Sequence, residues 1–292
     1  MDIEGDPGPG ARGVSLDRLR TMTATVAIPT YNRPESLARA LASLSATDVL
    51  VVDDGSRAPS SVKREAMRFG ARYVWQDHGG VNVARNTAMR EAGSDLVALI
   101  DDDIQTPPGW LDALLAGAAR HPKAGALAGP AILRVEGHAP RMCPRETLAD
   151  TAMAPMEEGP TDRLLGGNML VRREAWEAAG PFDPRLSGPN DETEWLRRVQ
   201  AAGFELVHIP AATAWHIRTT QDLRLRTNLP KAFRYGRASV LPSRLLGENP
   251  TFTSSVKPIP RYLAHAISAR CASGLTMSAR AAGVAVGSLR RP

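Results

Sequence analysis

The sequence predicts an α/β fold with a mostly parallel central sheet flanked by helices. Short apolar, β-branched runs alternate with longer stretches of helical period. The connections between them are brief, as in strand-helix-strand units that pair in parallel through right-handed crossovers. At 292 residues, 43% of them hydrophobic, the chain can also bury a substantial core.

Residues 1–20 are expected to be a flexible leader. They start with Met1-Asp2-Ile3-Glu4, are rich in Gly and Pro, and lack the basic and apolar regions of a signal peptide. Thr23 to Ile28 reads as the first strand, stopped at Pro29. In Thr30-Tyr31-Asn32-Arg33-Pro34, Asn32 can cap a helix and Pro34 suits its first turn. Leu37, Leu41 and Leu44 give that helix one apolar face. Asp48 to Val52 is a second strand ending at Asp53-Asp54-Gly55-Ser56, followed by a helix around Ser61 to Phe69. Ala71 to Trp75 and Val81 to Ala92 form the third strand and helix. Leu96 to Ile100 is the fourth strand and runs into three consecutive carboxylates, Asp101-Asp102-Asp103.

The C-terminal ends of parallel strands open on one rim, so Pro29 and Tyr31, Asp53 and Asp54, and Asp101 to Asp103 are expected to gather in one crevice. Acids at i and i+2 of an extended chain project from one side, so Asp101 and Asp103 can jointly face a hard cation. An acidic loop ahead of Pro107-Pro108-Gly109-Trp110 is the competing reading. No strand is followed by the dinucleotide or P-loop glycine pattern, which leaves phosphate neutralisation to a metal held by these acids.

A helix is expected from Pro108 to Arg120, then an apolar segment from Ala124 to Leu133. Arg134 to Arg163 has no period and reads as a mobile functional loop or lid. In Leu164 to Val171, Gly166 and Gly167 either let the backbone approach a ligand or form a bulge. Gly180-Pro181-Phe182-Asp183 precedes Asn190-Asp191-Glu192-Thr193-Glu194-Trp195, which opens a helix. Its acids either complement the helix dipole or point into a cleft. Glu205 to Ile209 is a strand, and Ala214-Trp215-His216 ends a further apolar segment.

The formal net charge is +5, spread as arginines that concentrate late rather than as a basic block interleaved with aromatics. This argues against nucleic acid and for an anionic small substrate or an anionic membrane surface. No uncharged apolar stretch reaches the roughly 18 residues of a membrane span, Arg270 and Arg280 interrupting the best candidate. Cys143 and Cys271 are too few and too distant for a disulfide scaffold, so a reducing cytoplasm is expected.

Taken in order, several motifs resemble the family 2 glycosyltransferases of the nucleotide-diphospho-sugar (GT-A) fold, over roughly Met22 to Thr220. They are Val26 to Arg33, Val51 to Ser56, Gly80 to Asn86, Ile100 to Asp103, Gly166-Gly167-Asn168, Gly180 to Asp183 and Asp191 to Glu194. The resemblance implies a catalytic domain at 21–220, with a nucleotide-binding half at 21–120 and an acceptor-side half at 121–220, and a C-terminal helical extension at 221–292. It implies inverting transfer of a sugar from a nucleotide-diphospho-sugar, UDP-linked by expectation, to the hydroxyl of a small-molecule, glycan or lipid-linked acceptor.

In that scheme Tyr31 stacks near the base and Asp54 accepts from a pyrimidine N3. Pro29, Arg33, Asp102 and Gly167 border the donor, and Arg85 contacts the diphosphate. Asp101 and Asp103 match the family's Asp-x-Asp, with Asp103 the direct ligand to Mg²⁺ or Mn²⁺ and His216 beside the metal. The family's Glu-Asp pair is reversed here, so the aligned base is Glu192, with Asp191 competing. The Gln-x-x-Arg-Trp motif and membrane spans of processive members are absent from the sequence, so transfer is expected to be non-processive. A sugar-1-phosphate nucleotidyltransferase would need a Gly-rich signature after the first strand that is not there. A nucleotide-sugar binding module without catalysis is hinted at by the reversed acids. The C-terminal extension is expected to cap the catalytic domain, with the acceptor side, a homodimer contact or the inner membrane face as its other uses.

Overall fold

The computed structural model describes residues 23–46, 48–138, 157–186, 188 and 191–289. The expected leader and the centre of the expected loop, 139–156, lie outside the described residues.

The first half alternates as its pattern dictates: β1 (Ala24–Thr30), α1 (Pro34–Ser43), β2 (Val49–Asp53), α2 (Pro59–Arg68), β3 (Arg72–Trp75), α3 (Val81–Glu91) and β4 (Leu96–Ile100). Pro34 and Pro59 occupy first turns, where a missing N–H costs no helical hydrogen bond. β5 (Ile104–Gln105) and α4 (Trp110–Arg120) follow. The apolar segment from Ala124 splits at Gly129-Pro130 into β6 (Ala124–Ala128) and β7 (Ala131–Glu136), which join different sheets. Then come β8 (Gly159–Pro160), β9 (Asn168–Arg172), α5 (Arg173–Ala179), α6 (Asp191–Ala201), β10 (Glu205–His208) and β11 (Ala214–Thr219). The chain closes with α7 (Thr220–Leu223), α8 (Leu225–Ala238), α9 (Val240–Leu245), α10 (Phe252–Val256), α11 (Ile259–Ser268) and α12 (Ala272–Ser288).

The main sheet has the order β3-β2-β1-β4-β9-β6-β10-β8. The sheet is mostly parallel, as expected; β9 is an internal exception, running antiparallel to both β4 and β6. This reversal matters for the rim. Ile100, the last residue of β4, pairs with Asn168, the first of β9, so Gly167 is delivered beside Asp101, whose N–H donates to Gly167 O at 3.2 Å.

Alternating side chains fill two cores. Val26, Ile28, Val51 and Ala98 face α1, α2 and α4, while Ala27, Leu50, Val52 and Leu99 face α3, α5 and α6. Each fully buried large aliphatic contributes roughly 1.5–3 kcal/mol, which anchors the rim from both faces. A second sheet, β5-β11-β7, pairs His216 with Ile104 and so sets His216 next to Asp103. On the same flank α8 packs against α12 at Gly236 and Gly283, where a β-carbon would collide with the opposing backbone carbonyls of Arg280 and Phe233.

Candidate active site

The strand ends, the glycine pair, the start of α6 and the inner face of α8 enclose one cavity of about 1090 Å³. Pro29, Tyr31, Arg33, Asp54, Arg85, Asp101, Asp102, Asp103, Gly167, Asp191, Glu192 and His216 all line it.

The three acids after β4 have separate environments. Asp102 turns inward, accepting from Thr30 Oγ1 at 2.7 Å and from Arg33 Nη1 at 2.7 Å. Burial pushes its carboxyl up to about 7 against the pull of Arg33. Asp103 meets His216 Nε2 at 3.1 Å, Arg33 Nη1 at 3.0 Å and Arg218 Nη1 at short range. Burial opposes its ionisation, but the His216 hydrogen bond and the Arg218 and Arg33 charges outweigh it and hold Asp103 well below the usual carboxylate range. The same pairing raises His216 despite burial. Asp101 is the open one, with its side chain 39% exposed and Arg85 Nη2 3.7 Å away. A β-carbon at Gly167 would lie 2.6 Å from Asp101 Oδ2, so any side chain here would displace the Asp101 carboxylate.

Tyr31 stacks on His78 with centroids 4.1 Å apart and planes at 16°. Behind them Asp54 is buried and saturated. Its Oδ1 accepts from Gln76 Nε2 at 2.6 Å and Gly79 N at 2.9 Å. Its Oδ2 accepts from Gly80 N at 2.8 Å and lies 2.8 Å from His78 Nδ1. A carboxylate offers about four acceptor positions, so a base N–H would have to displace one of these donors. Asp54 therefore organises the 76–80 loop.

Across the cavity, Arg85 is buried and donates to Asp191 Oδ1 at 3.1 Å and Asn82 Oδ1 at 3.2 Å. Burial opposes its charge, but Asp191, Asp101 and Glu192 raise its pKa above the usual guanidinium value. Asp191 is thereby committed to Arg85, whereas Glu192 has no cation within ion-pair distance among the described residues. Burial and the neighbouring Asp191 carboxylate push Glu192 up to about 8, the range of a general base at neutral pH.

Some motif residues shape the site from outside it. Asn168 is fully buried, accepts from Trp110 Nε1 and donates to the Pro130 and Ala212 carbonyls. Asn86 bonds both the N–H and the C=O of Phe182, and Asn82 donates to Asp183 O. The segment from Gly180 to Asp183 is thus strapped to α3. Sequence reasoning missed Arg218 and His78. Arg218 stands two residues after His216 on one strand and so shares its face; the alternation could have revealed it. His78 had no signal beyond the Gly79-Gly80 pair after it.

A divalent cation fits the donor set. Asp103 Oδ1 and His216 Nε2 are 3.1 Å apart, near the roughly 3 Å separation of adjacent ligands on a cation with bonds of about 2.1 Å. Among the described residues no three His, Cys, Asp or Glu side chains form an all-protein cage. A site completed by phosphate oxygens and water is the usual arrangement for Mg²⁺.

The sequence profile described as "Glycosyl transferase family 2" matches residues 25–179. A pre-mycofactocin glycosyltransferase of Mycobacterium tuberculosis is 31% identical over 230 residues, covering 75% of this chain and 47% of that protein. The chain thus spans about half the length of that relative. An N-acetylglucosaminyl-diphospho-decaprenol L-rhamnosyltransferase of M. tuberculosis is 30% identical over 226 residues, covering 64% of this chain and 73% of its own. Among solved structures, mannosyltransferase PcManGT from Pyrobaculum calidifontis with GDP-Man and Mn²⁺ superposes with a TM-score of 0.53 at 18% identity, covering 92% of this chain and 76% of that one. GalNAc-T7 with UDP, GalNAc and Mn²⁺ gives 0.54 at 17%, covering 75% and 48%. These likenesses identify the fold as GT-A.

Proposed function

Because the chain belongs to glycosyl transferase family 2, we propose that it moves a sugar from a nucleotide-diphospho-sugar to an acceptor hydroxyl by direct displacement with inversion, without processivity. The observation that carries this reading is the division of labour between Asp191 and Glu192. One carboxylate is neutralised by Arg85 while the other, raised to about 8, faces the cavity shared with Asp101 and Asp103. Glu192 takes the acceptor proton as the hydroxyl attacks the anomeric carbon, and the glycosidic oxygen leaves with the nucleoside diphosphate.

The Tyr31–His78 stack receives the base, with UDP the expected nucleotide. Arg33, Arg85 and Arg218 supply charge to the departing diphosphate. Asp103 and His216, with Asp101 adjacent, would hold Mg²⁺ or Mn²⁺, which when bound acts as a Lewis acid on the leaving group. A lipid-linked acceptor, such as the one named for the mycobacterial rhamnosyltransferase, is compatible with peripheral contact at the inner membrane face. No helix among the described residues is long and apolar enough to cross a membrane.

The test is incubation with UDP-, GDP- and dTDP-sugars and Mn²⁺. Metal-dependent release of nucleoside diphosphate is the expected result. Pyrophosphate release would instead indicate nucleotidyl transfer, and donor binding without turnover a binding module.

A further inference from the structure

The donor-side cations Arg33, Arg85 and Arg218 come from the turn after β1, from α3 and from β11, yet the cavity has a second basic wall. Lys231, Arg234 and Arg237 follow one another at three-residue spacing on α8, and Arg244 joins them from α9; all four line the cavity. From Leu223 to Pro292 the sequence holds one acid, Glu248, against twelve Lys and Arg. The carboxylates inside the cavity are engaged elsewhere: Asp102 and Asp103 with Arg33, Asp101 and Asp191 with Arg85, and Asp54 with His78. Among the described residues Arg234 and Arg237 face no carboxylate within ion-pair distance, and both are exposed.

This wall stands on the Glu192 side. Ala238, at the end of α8, packs where a β-carbon at Gly188 would come within 3.3 Å, and Arg197 of α6 donates to Leu246 O at 3.1 Å. The close α8–α12 crossing at Gly236 and Gly283 fixes the wall in place.

We propose that Arg234 and Arg237 form an anion subsite for the acceptor, so that the hydroxyl presented to Glu192 belongs to a molecule carrying a phosphate or diphosphate. Guanidinium groups suit this ligand because their planar forks bind phosphate oxygens in pairs. The inference rests on the transferase reading and adds to it the chemical class of the acceptor.

The test is a binding measurement, so it does not depend on turnover. Inorganic pyrophosphate is titrated calorimetrically into the full chain with metal removed by chelation. We expect at least tenfold weaker binding in R234A/R237A, recovery in R234K/R237K, and little change in R64A, which removes an exposed arginine outside the cavity. Equal affinity in wild type and R234A/R237A overturns the proposal. Displacement of bound pyrophosphate by farnesyl diphosphate supports a lipid-linked source and displacement by glucose 1-phosphate a soluble one; failure of both overturns it. If the chain releases nucleoside diphosphate yet shows no such anion binding, the subsite alone fails. If the anion binds at Arg234 and Arg237 but no donor is turned over, the transferase reading alone fails.

Discussion

Two neighbouring carboxylates, Asp191 and Glu192, receive opposite treatment from one arginine: Arg85 pairs with the first at 3.1 Å and leaves the second half-buried beside a like charge. For a base that must be deprotonated, a pKa of about 8 makes kcat/KM climb with pH and level off above that value, as a rate profile from pH 6 to 10 would record. Stability runs the other way. Between the ordinary carboxylate value of 4.5 and about 8 the folded chain keeps a proton that the unfolded chain has released, so stability falls as pH rises through this window. Thermal melts of Glu192→Gln against pH should therefore be flatter than those of the wild type. The same variant should lose about 10²- to 10⁴-fold in kcat with donor affinity kept; full activity would move the base role to Asp191. At the opposite wall, Asp103→Asn weakens the contacts from His216, Arg33 and Arg218, and metal-dependent release of nucleoside diphosphate should collapse while the fold, checked by circular dichroism, survives.

At the scale of elements, β9 decides more than its length suggests. Because it enters antiparallel beside β4, Gly167 abuts Asp101 and Asn168 reaches Trp110. Gly167→Ala should push the Asp101 carboxylate aside and, since misplacement of about 1 Å can cost up to 10²-fold, lower kcat/KM at least tenfold without unfolding. Asn168→Ala should instead act on stability: it strands the Trp110 N–H and two buried carbonyls, a loss of at least about 2 kcal/mol in denaturant melts. The contrast between adjacent positions separates a residue that shapes the site from one that supports it.

Across the whole molecule, charge is divided. The net +5 hides a strongly basic C-terminal region and an acidic remainder, and the cavity lies where they meet. Anionic ligands are drawn into a cleft of this kind over roughly a Debye length, about 10 Å at 0.1 M salt. Raising ionic strength from about 0.05 to 0.5 M should therefore reduce kcat/KM severalfold, mainly through KM. A kcat effect of the same size would contradict this account.

Periodicity alone was enough to read the β-α alternation to Ile100, because strand and helix periods and the stops at Gly55 and Gly93 are local properties of the chain, although β1 runs through the expected stop at Pro29 to Thr30. The gathering of Tyr31, Asp54 and Asp101 to Asp103 in one cavity was legible for the same reason, since parallel strands share a rim. Strand direction was not legible: nothing within Asn168–Arg172 encodes that it runs against its neighbours, and only the route of the preceding chain fixes it. Pairing was hidden too. That Asp54 is saturated by the 76–80 loop, that Asp103 faces Arg218, and that Arg85 selects Asp191 over Glu192 depend on side chains brought together from distant segments. The sequence by itself determined which residues reach the cavity from the strand ends; the tertiary structure decided the charge state and partner of each, because burial and Coulomb interaction depend on distance in space rather than along the chain.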